Sequence, residues 1–273
     1  MKKTIISCVL FLTAVTAFSQ TPMKTAAEAK LSASDLAVKI ADRILATTTY
    51  EFKNTKTGKT YKSVKNLPLD MNVKVACKYN NWHYTNGVTH IALMELADKT
   101  GAKKYDDYVL KNMNFVFNEG NLDFFKKQYD QAMKNEGWYG VRKLSWHMIF
   151  RGKRLDDNGP MGASLIDLQM KHPNNSFLNY INETAEHLNY GEPRLADGTI
   201  ARIWPHENTI WADDAFMAIS FLARMAKMTG DMSYINDAAN QVIKYHKYLW
   251  CPEKRILYHC YHTDTDEHGV AHW

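Results

Sequence analysis

Cysteine is scarce. The 273-residue chain has four, and one of them, Cys8, sits in an N-terminal segment of separate character. The remaining Cys77, Cys251 and Cys260 are an odd number, which rules out a complete intrachain disulfide framework. Only Cys251 and Cys260 lie near each other in sequence, and nothing in the pattern requires them to pair. An excess of one charge is also missing: 34 Lys and Arg against 29 Asp and Glu give a formal +5, too mild to imply a nucleic-acid partner. No apolar run is long enough to span a membrane. Glycine-rich phosphate loops are absent, since "NEGNLD" and "TGAKK" read as helix stops, and no nucleophile elbow anchors a Ser-His-Asp triad. Strand signals are thin. Residues 49–64 offer one hairpin around Thr57-Gly58, and 194–204 another around Asp197-Gly198.

The longest apolar run, Thr4 to Phe18, follows Lys2 and Lys3 and ends in Ala17-Phe18-Ser19. A basic start, a short apolar middle and a small-x-small end are the pattern of a secretory signal peptide. It predicts cleavage after Ser19 and export to a bacterial periplasm or beyond the cell. Loss of its two lysines lowers the charge from +5 to +3. Residues 20–30 then read as a short linker and 31–273 as the catalytic body.

What the chain has is internal repetition. "LMELADKTGAKKY" (93–105) and "LARMAKMTGDMSY" (222–234) superpose at a constant offset, which also carries Trp82 onto Trp211. Each reads as helix, Thr-Gly stop, helix, with the glycine in the left-handed position that ends a helix and Asp231 capping the next. In each pair the first helix is apolar nearly all round, as a buried helix is. The second carries a single apolar stripe, such as Tyr105, Tyr108, Val109, Asn112, Phe115 and Val116. A more diverged pair, "MGASLIDLQM" then "NSFLNYINETAEHL", is broken by Pro173. Inner and outer helices in repeated hairpins predict an all-α, α/α toroid with minor β-hairpin excursions; an open helical solenoid is the alternative.

Parallel inner helices would gather their N-termini at one mouth. Trp82, Tyr84, Asp156, Asp157, Trp211, Asp213 and Asp214 would then share a cleft. An Asp at a helix start is commonly just a cap, and a Trp is as readily core as sugar platform. Yet adjacent acids cannot both cap one helix. Two carboxylates across a cleft also equip glycoside chemistry, because repulsion lets one keep its proton while the other is ionised.

"WHYTNGV", "LDDNGPMGASLID", "DGTIAR", "NTIWADDAFMAISFLARMAKMTGD" and "ILYHCY" to "HGVAHW" resemble the unsaturated rhamnogalacturonyl hydrolases, glycoside hydrolase family 105, and the related unsaturated glucuronyl hydrolases of family 88. The resemblance covers essentially the whole chain after the leader. It implies an (α/α)6 six-hairpin barrel. It also implies an enzyme that hydrates the C4=C5 double bond of a terminal unsaturated uronic acid on pectin-derived oligosaccharides, without metal or organic cofactor. By the same resemblance Asp213 is the acid/base and Asp157 its partner. His259 is a substrate-binding histidine, and Trp82, Tyr84 and Trp211 line the cleft. His206 stands where the family more often has glutamine, and either tunes specificity or is a plain loop histidine. The family's Trp-Gly-Arg stretch, whose Arg is expected to bind the uronate, would begin at Trp273. With a first helix (33–46) and three hairpins against six, the expectation is a partial barrel, truncated at its C-terminus, with poor solubility and little activity. The oligomeric state is left open. The stretch 258–272 is rich in His, Cys and Asp, but matches no standard zinc spacing. A conventional inverting glycosidase, a polysaccharide lyase and a non-catalytic glycan-binding protein on the same toroid are the competing classes.

Overall fold

The computed structural model describes residues 32–152 and 154–269. The expected leader, the linker and His272 lie outside the described residues. The chain divides after Arg43 into two compact units. The described part of the first is the opening of α1 (Ala33–Thr47). Ser32 and Asp35 cap it reciprocally: the Asp35 N–H donates to Ser32 Oγ at 3.1 Å and the Ser32 N–H to Asp35 Oδ2 at 3.2 Å.

The second unit begins with a small antiparallel sheet of β1 (Phe52–Asn54), β2 (Thr60–Tyr61) and β3 (Val73–Val75), in the order β2-β1-β3. The expected Thr57-Gly58 turn is present, with Gly58 at φ +74°. The helical body follows: α2 (Tyr84–Thr100), α3 (Lys104–Val116), α4 (Glu119–Val141), α5 (Met148–Arg151), α6 (Leu155–Lys171) and α7 (Asn175–Glu186). Then come β4 (Thr209–Trp211), α8 (Ala212–Thr229), α9 (Met232–Leu249) and four short strands, β5 (Trp250–Cys251), β6 (Ile256–Leu257), β7 (Cys260–His262) and β8 (Glu267–His268).

The inner helices are α2, α6 and α8, with α6 between the other two and α3, α7 and α9 as their outer partners. This is the helical-hairpin architecture of an α/α toroid. The repeat's stops work as expected. Gly101 and Gly230 adopt φ of 70° and 76° and donate their N–H groups to Ala97 and Ala226. Asp231 caps α9 by accepting the Ser233 N–H at 2.8 Å.

Glycine also sets how closely the inner helices approach. A Cβ at Gly87 on α2 would lie 2.3 Å from the Pro160 carbonyl carbon on α6, and one at Gly159 would lie 2.6 Å from the Met217 oxygen on α8. Backbone therefore packs on backbone at the heads of all three helices, and the acids in their first turns are drawn together.

Three features depart from the sequence reading. "NEGNLD" ends α3 but also starts the long α4, because the Asn118 side chain accepts the Gly120 and Asn121 N–H groups. Around Gly198 there is an isolated bridge, Arg194 to Ile200, rather than a strand pair. The inner helices are not buried all round. Phe216 on α8 is 49% exposed and Val88 on α2 41%, since each lies on a face its packed neighbours do not cover. Cys77, Cys251 and Cys260 are free.

Gly159→Ala should force α6 and α8 apart. We expect a loss of about 1–3 kcal/mol, as for overpacked cores, seen as a lower thermal midpoint. An unchanged midpoint would show that the close approach is not a constraint.

Candidate active site

Strand β4 delivers the chain to α8. It pairs antiparallel with β7, Trp211 opposite Cys260, and the Ala212 N–H donates to the His259 carbonyl at 2.9 Å. That ladder fixes His259 beside the head of α8. Trp211 is the N-cap residue and provides no side-chain cap. Asp213 and Asp214 follow in the first turn, and their recorded partners are not backbone N–H groups.

Their partner is Arg202. Its Nε and Nη2 grip Asp214 Oδ2 and Oδ1 at 2.6 and 2.7 Å, and Nη2 also reaches Asp213 Oδ2 at 3.4 Å. The same Nη2 lies 3.6 Å from Asp156 Oδ1 at the head of α6. The guanidinium stacks 4.4 Å over the Trp211 ring. Burial works against the Arg202 charge, but the carboxylates around it outweigh burial and raise its pKa above the ordinary arginine value. Burial pushes the Asp214 carboxyl up, against the pull of Arg202.

Asp213 is placed differently. Its side chain is 34% exposed, and Oδ1 lies 3.9 Å from His259 Nε2. That oxygen is closed off from solvent and has no hydrogen-bond partner among the described residues. The Trp211 and His259 rings meet edge to face at 4.9 Å, forming a wall next to it. Asp213, Trp211 and His259 are thus brought together.

Asp157 is not brought to them. Its side chain is fully buried, and both oxygens are held by Arg151 Nε and Nη2. Burial pushes its carboxyl up while Arg151 opposes. Arg151 in turn stacks on Trp138 at 4.9 Å. Successive helical residues point about 100° apart, so only one of the paired acids can face the rim. That one is Asp156. Trp82 also needs correcting. It is fully buried against Trp146, Phe117 and Tyr180, and its indole N–H donates to the Asp157 carbonyl at 2.8 Å. It is core, with a polar edge that satisfies a buried carbonyl. Tyr84 is 37% exposed beside the His83 ring. His206 is an exposed loop residue whose ring lies 5.6 Å from His262.

Sequence reasoning missed Arg202, although it ends the quoted "DGTIAR". It also missed Arg154 and Trp204. These two help line a cavity of about 240 Å³ with Asp156, Glu192, Arg202 and Asp214. The stretch after His259 forms the β7–β8 hairpin, with Asp266 at φ +56° in its turn. Among the described residues no three His, Cys, Asp or Glu side chains form a metal-ligand group.

Residues 56–272 match the family model described as Glycosyl Hydrolase Family 88. Similar solved structures include a possible family 105 member from Salmonella enterica subsp. enterica serovar Paratyphi A, at TM-score 0.55 and 14% identity, over 87% of this chain and 54% of that one. A family 105 glycoside hydrolase from C. acetobutylicum aligns at TM-score 0.54 and 21% identity, over 87% and 51%. An alpha-1,6-mannanase of family 76 from Salegentibacter sp. aligns at 0.51 and 14%, over 86% and 57%. At these identities the likeness is one of fold, and the chain spans about half the length of the structures it matches. No curated protein matches the chain.

The two acids predict unequal stability effects. Asp157→Asn leaves Arg151 facing a neutral amide in a buried site, which should cost about 3–5 kcal/mol in denaturant unfolding. Asp213→Asn should stay within about 0.5 kcal/mol of the parent. Equal losses would contradict the placement of Asp157 in a buried ion pair and of Asp213 at the rim.

Proposed function

This chain belongs to glycoside hydrolase family 88, and from that premise we propose that it removes a terminal 4,5-unsaturated uronic acid from pectin-derived, rhamnogalacturonan-type oligosaccharides. The reaction is hydration of the C4=C5 bond. The observation that carries this reading is Asp213 Oδ1, a carboxyl oxygen with no hydrogen-bond partner among the described residues, set beside Trp211 and His259.

Protonating an electron-rich double bond needs an acid in contact with carbon. Asp213 gives its proton to C4, whose new C–H bond takes the electron pair of the double bond. The oxygen of a water bonds to C5 and its proton returns to the carboxylate. The hemiketal so formed at C5 opens: its hydroxyl becomes a ketone as the C5–O5 bond breaks, and the ring oxygen takes the proton. This leaves C1 a hemiacetal, which becomes an aldehyde as the neighbouring sugar leaves as its alcohol. Arg202 takes no proton in this sequence. It holds the second oxygen of Asp213, which keeps the side chain in place. Asp156, on the same guanidinium, is the second rim carboxylate. Trp211 offers a flat apolar face for the ring, and His259 a polar contact. The basic, apolar, small-residue N-terminus supports export, which would bring the enzyme to lyase products outside the cytoplasm.

The test is incubation of the full-length protein with lyase-treated rhamnogalacturonan while ultraviolet absorbance of the double bond is followed. Absorbance should fall, and Asp213→Asn should slow the fall by about a hundredfold or more. Sugar release with absorbance unchanged would mean a conventional glycosidase. Rising absorbance would mean a lyase, and binding without turnover a glycan-binding protein. Each of these overturns the proposal.

A further inference from the structure

Within the cavity beside the acid, the two arginines are used unequally. Arg202 is saturated by Asp214, Asp213 and Asp156. Arg154, just before α6, has no carboxylate oxygen within 4.0 Å among the described residues. Its guanidinium instead lies 4.6 Å over the ring of Trp204, a tryptophan 58% exposed at the cavity wall. Burial lowers the Arg154 pKa, and Arg151 and Arg202 add to this against the opposing pull of Asp157 and Asp156. Its close contact is therefore the indole rather than a structural ion pair. Glu192, the wall's other carboxylate, is engaged by His187 Nε2 at 2.9 Å.

We infer that Arg154 and Trp204 form a subsite for an acidic sugar, Arg154 binding its carboxylate and Trp204 stacking on its ring. A planar guanidinium donates two parallel hydrogen bonds to a carboxylate, and an exposed indole face is the usual apolar platform for a sugar. The cavity is lined by Asp156, Asp214 and Arg202, but not by Asp213, Trp211 or His259. It therefore adjoins the reacting position through Arg202. The sugar it holds is a second, carboxylate-bearing unit of the same oligosaccharide, not the ring that is hydrated. This assignment rests on the proposed action on uronyl oligosaccharides, but the subsite can be tested without turnover.

The probes are sodium D-glucuronate and its neutral methyl ester, titrated into the full chain by calorimetry or by tryptophan fluorescence. The parent should bind the acid more tightly than the ester. Arg154→Gln should weaken binding of the acid about tenfold or more and leave the ester unchanged. Arg154→Lys should recover only part of the loss, because an ammonium cannot make the paired contact. Trp204→Ala should weaken both probes. Thermal midpoints of the variants, expected within a few degrees of the parent, show that each is folded. Equal affinity of the parent for acid and ester, no binding of either, or an acid affinity indifferent to Arg154→Gln would overturn the subsite. Loss of acid binding in Arg154→Gln with ester binding intact would uphold it even if the chain failed to hydrate unsaturated substrates. The two proposals therefore fail separately.

Discussion

Three carboxylates crowd one guanidinium at the head of two packed helices, and their mutual repulsion is balanced only because Arg202 lies among them. It forks onto Asp214, touches Asp213 and reaches Asp156 across to α6. A buried ion pair of this kind is weak evidence for stability, since desolvation offsets much of its attraction. Its consequence is geometric. It fixes one oxygen of Asp213 and leaves the other facing His259 Nε2 at 3.9 Å. The division of labour is repeated one helix away, where Arg151 consumes both oxygens of Asp157 and so removes that acid from the rim.

Two constraints bring these groups together before any charge acts. Glycines at the heads of α2 and α6 let backbone pack on backbone, which sets the spacing of the acidic first turns. The β4–β7 ladder then ties His259, distant in sequence from Asp213, to the start of α8. A helical fold thus uses a short stretch of sheet for its most exact placement. The family membership and the helical hairpins agree with one another, although the match to solved structures reaches only about half their length.

Much of this was legible in the sequence, for identifiable reasons. The Thr-Gly stops at 101 and 230 and the Asp231 cap are local signals, and local signals decide helix ends. The match of Trp82 to Trp211 correctly marked two helix heads, yet it misled about exposure. A repeat preserves position in the fold but not burial, and Trp82 faces core while Trp211 faces Arg202. Which acid of Asp156-Asp157 meets the rim depends on the rotation of α6, and α6 starts at Leu155, earlier than the apolar pattern suggested. Arg202 and Arg154 were illegible because an arginine's partners are set by tertiary contact. The long α4 was hidden because a stop for one helix and a start for the next share the same few residues.

The proposed chemistry stands or falls with Asp213 Oδ1 as the group that protonates the double bond. The most direct measurement is a crystal structure of the Asp213→Asn chain with an unsaturated uronyl disaccharide bound. The account predicts C4 of the unsaturated ring within about 3.5 Å of the residue 213 side chain, with the ring against Trp211 and His259. A ring bound elsewhere, or a C4 nearer to Asp156 or Asp157 than to residue 213, would contradict it.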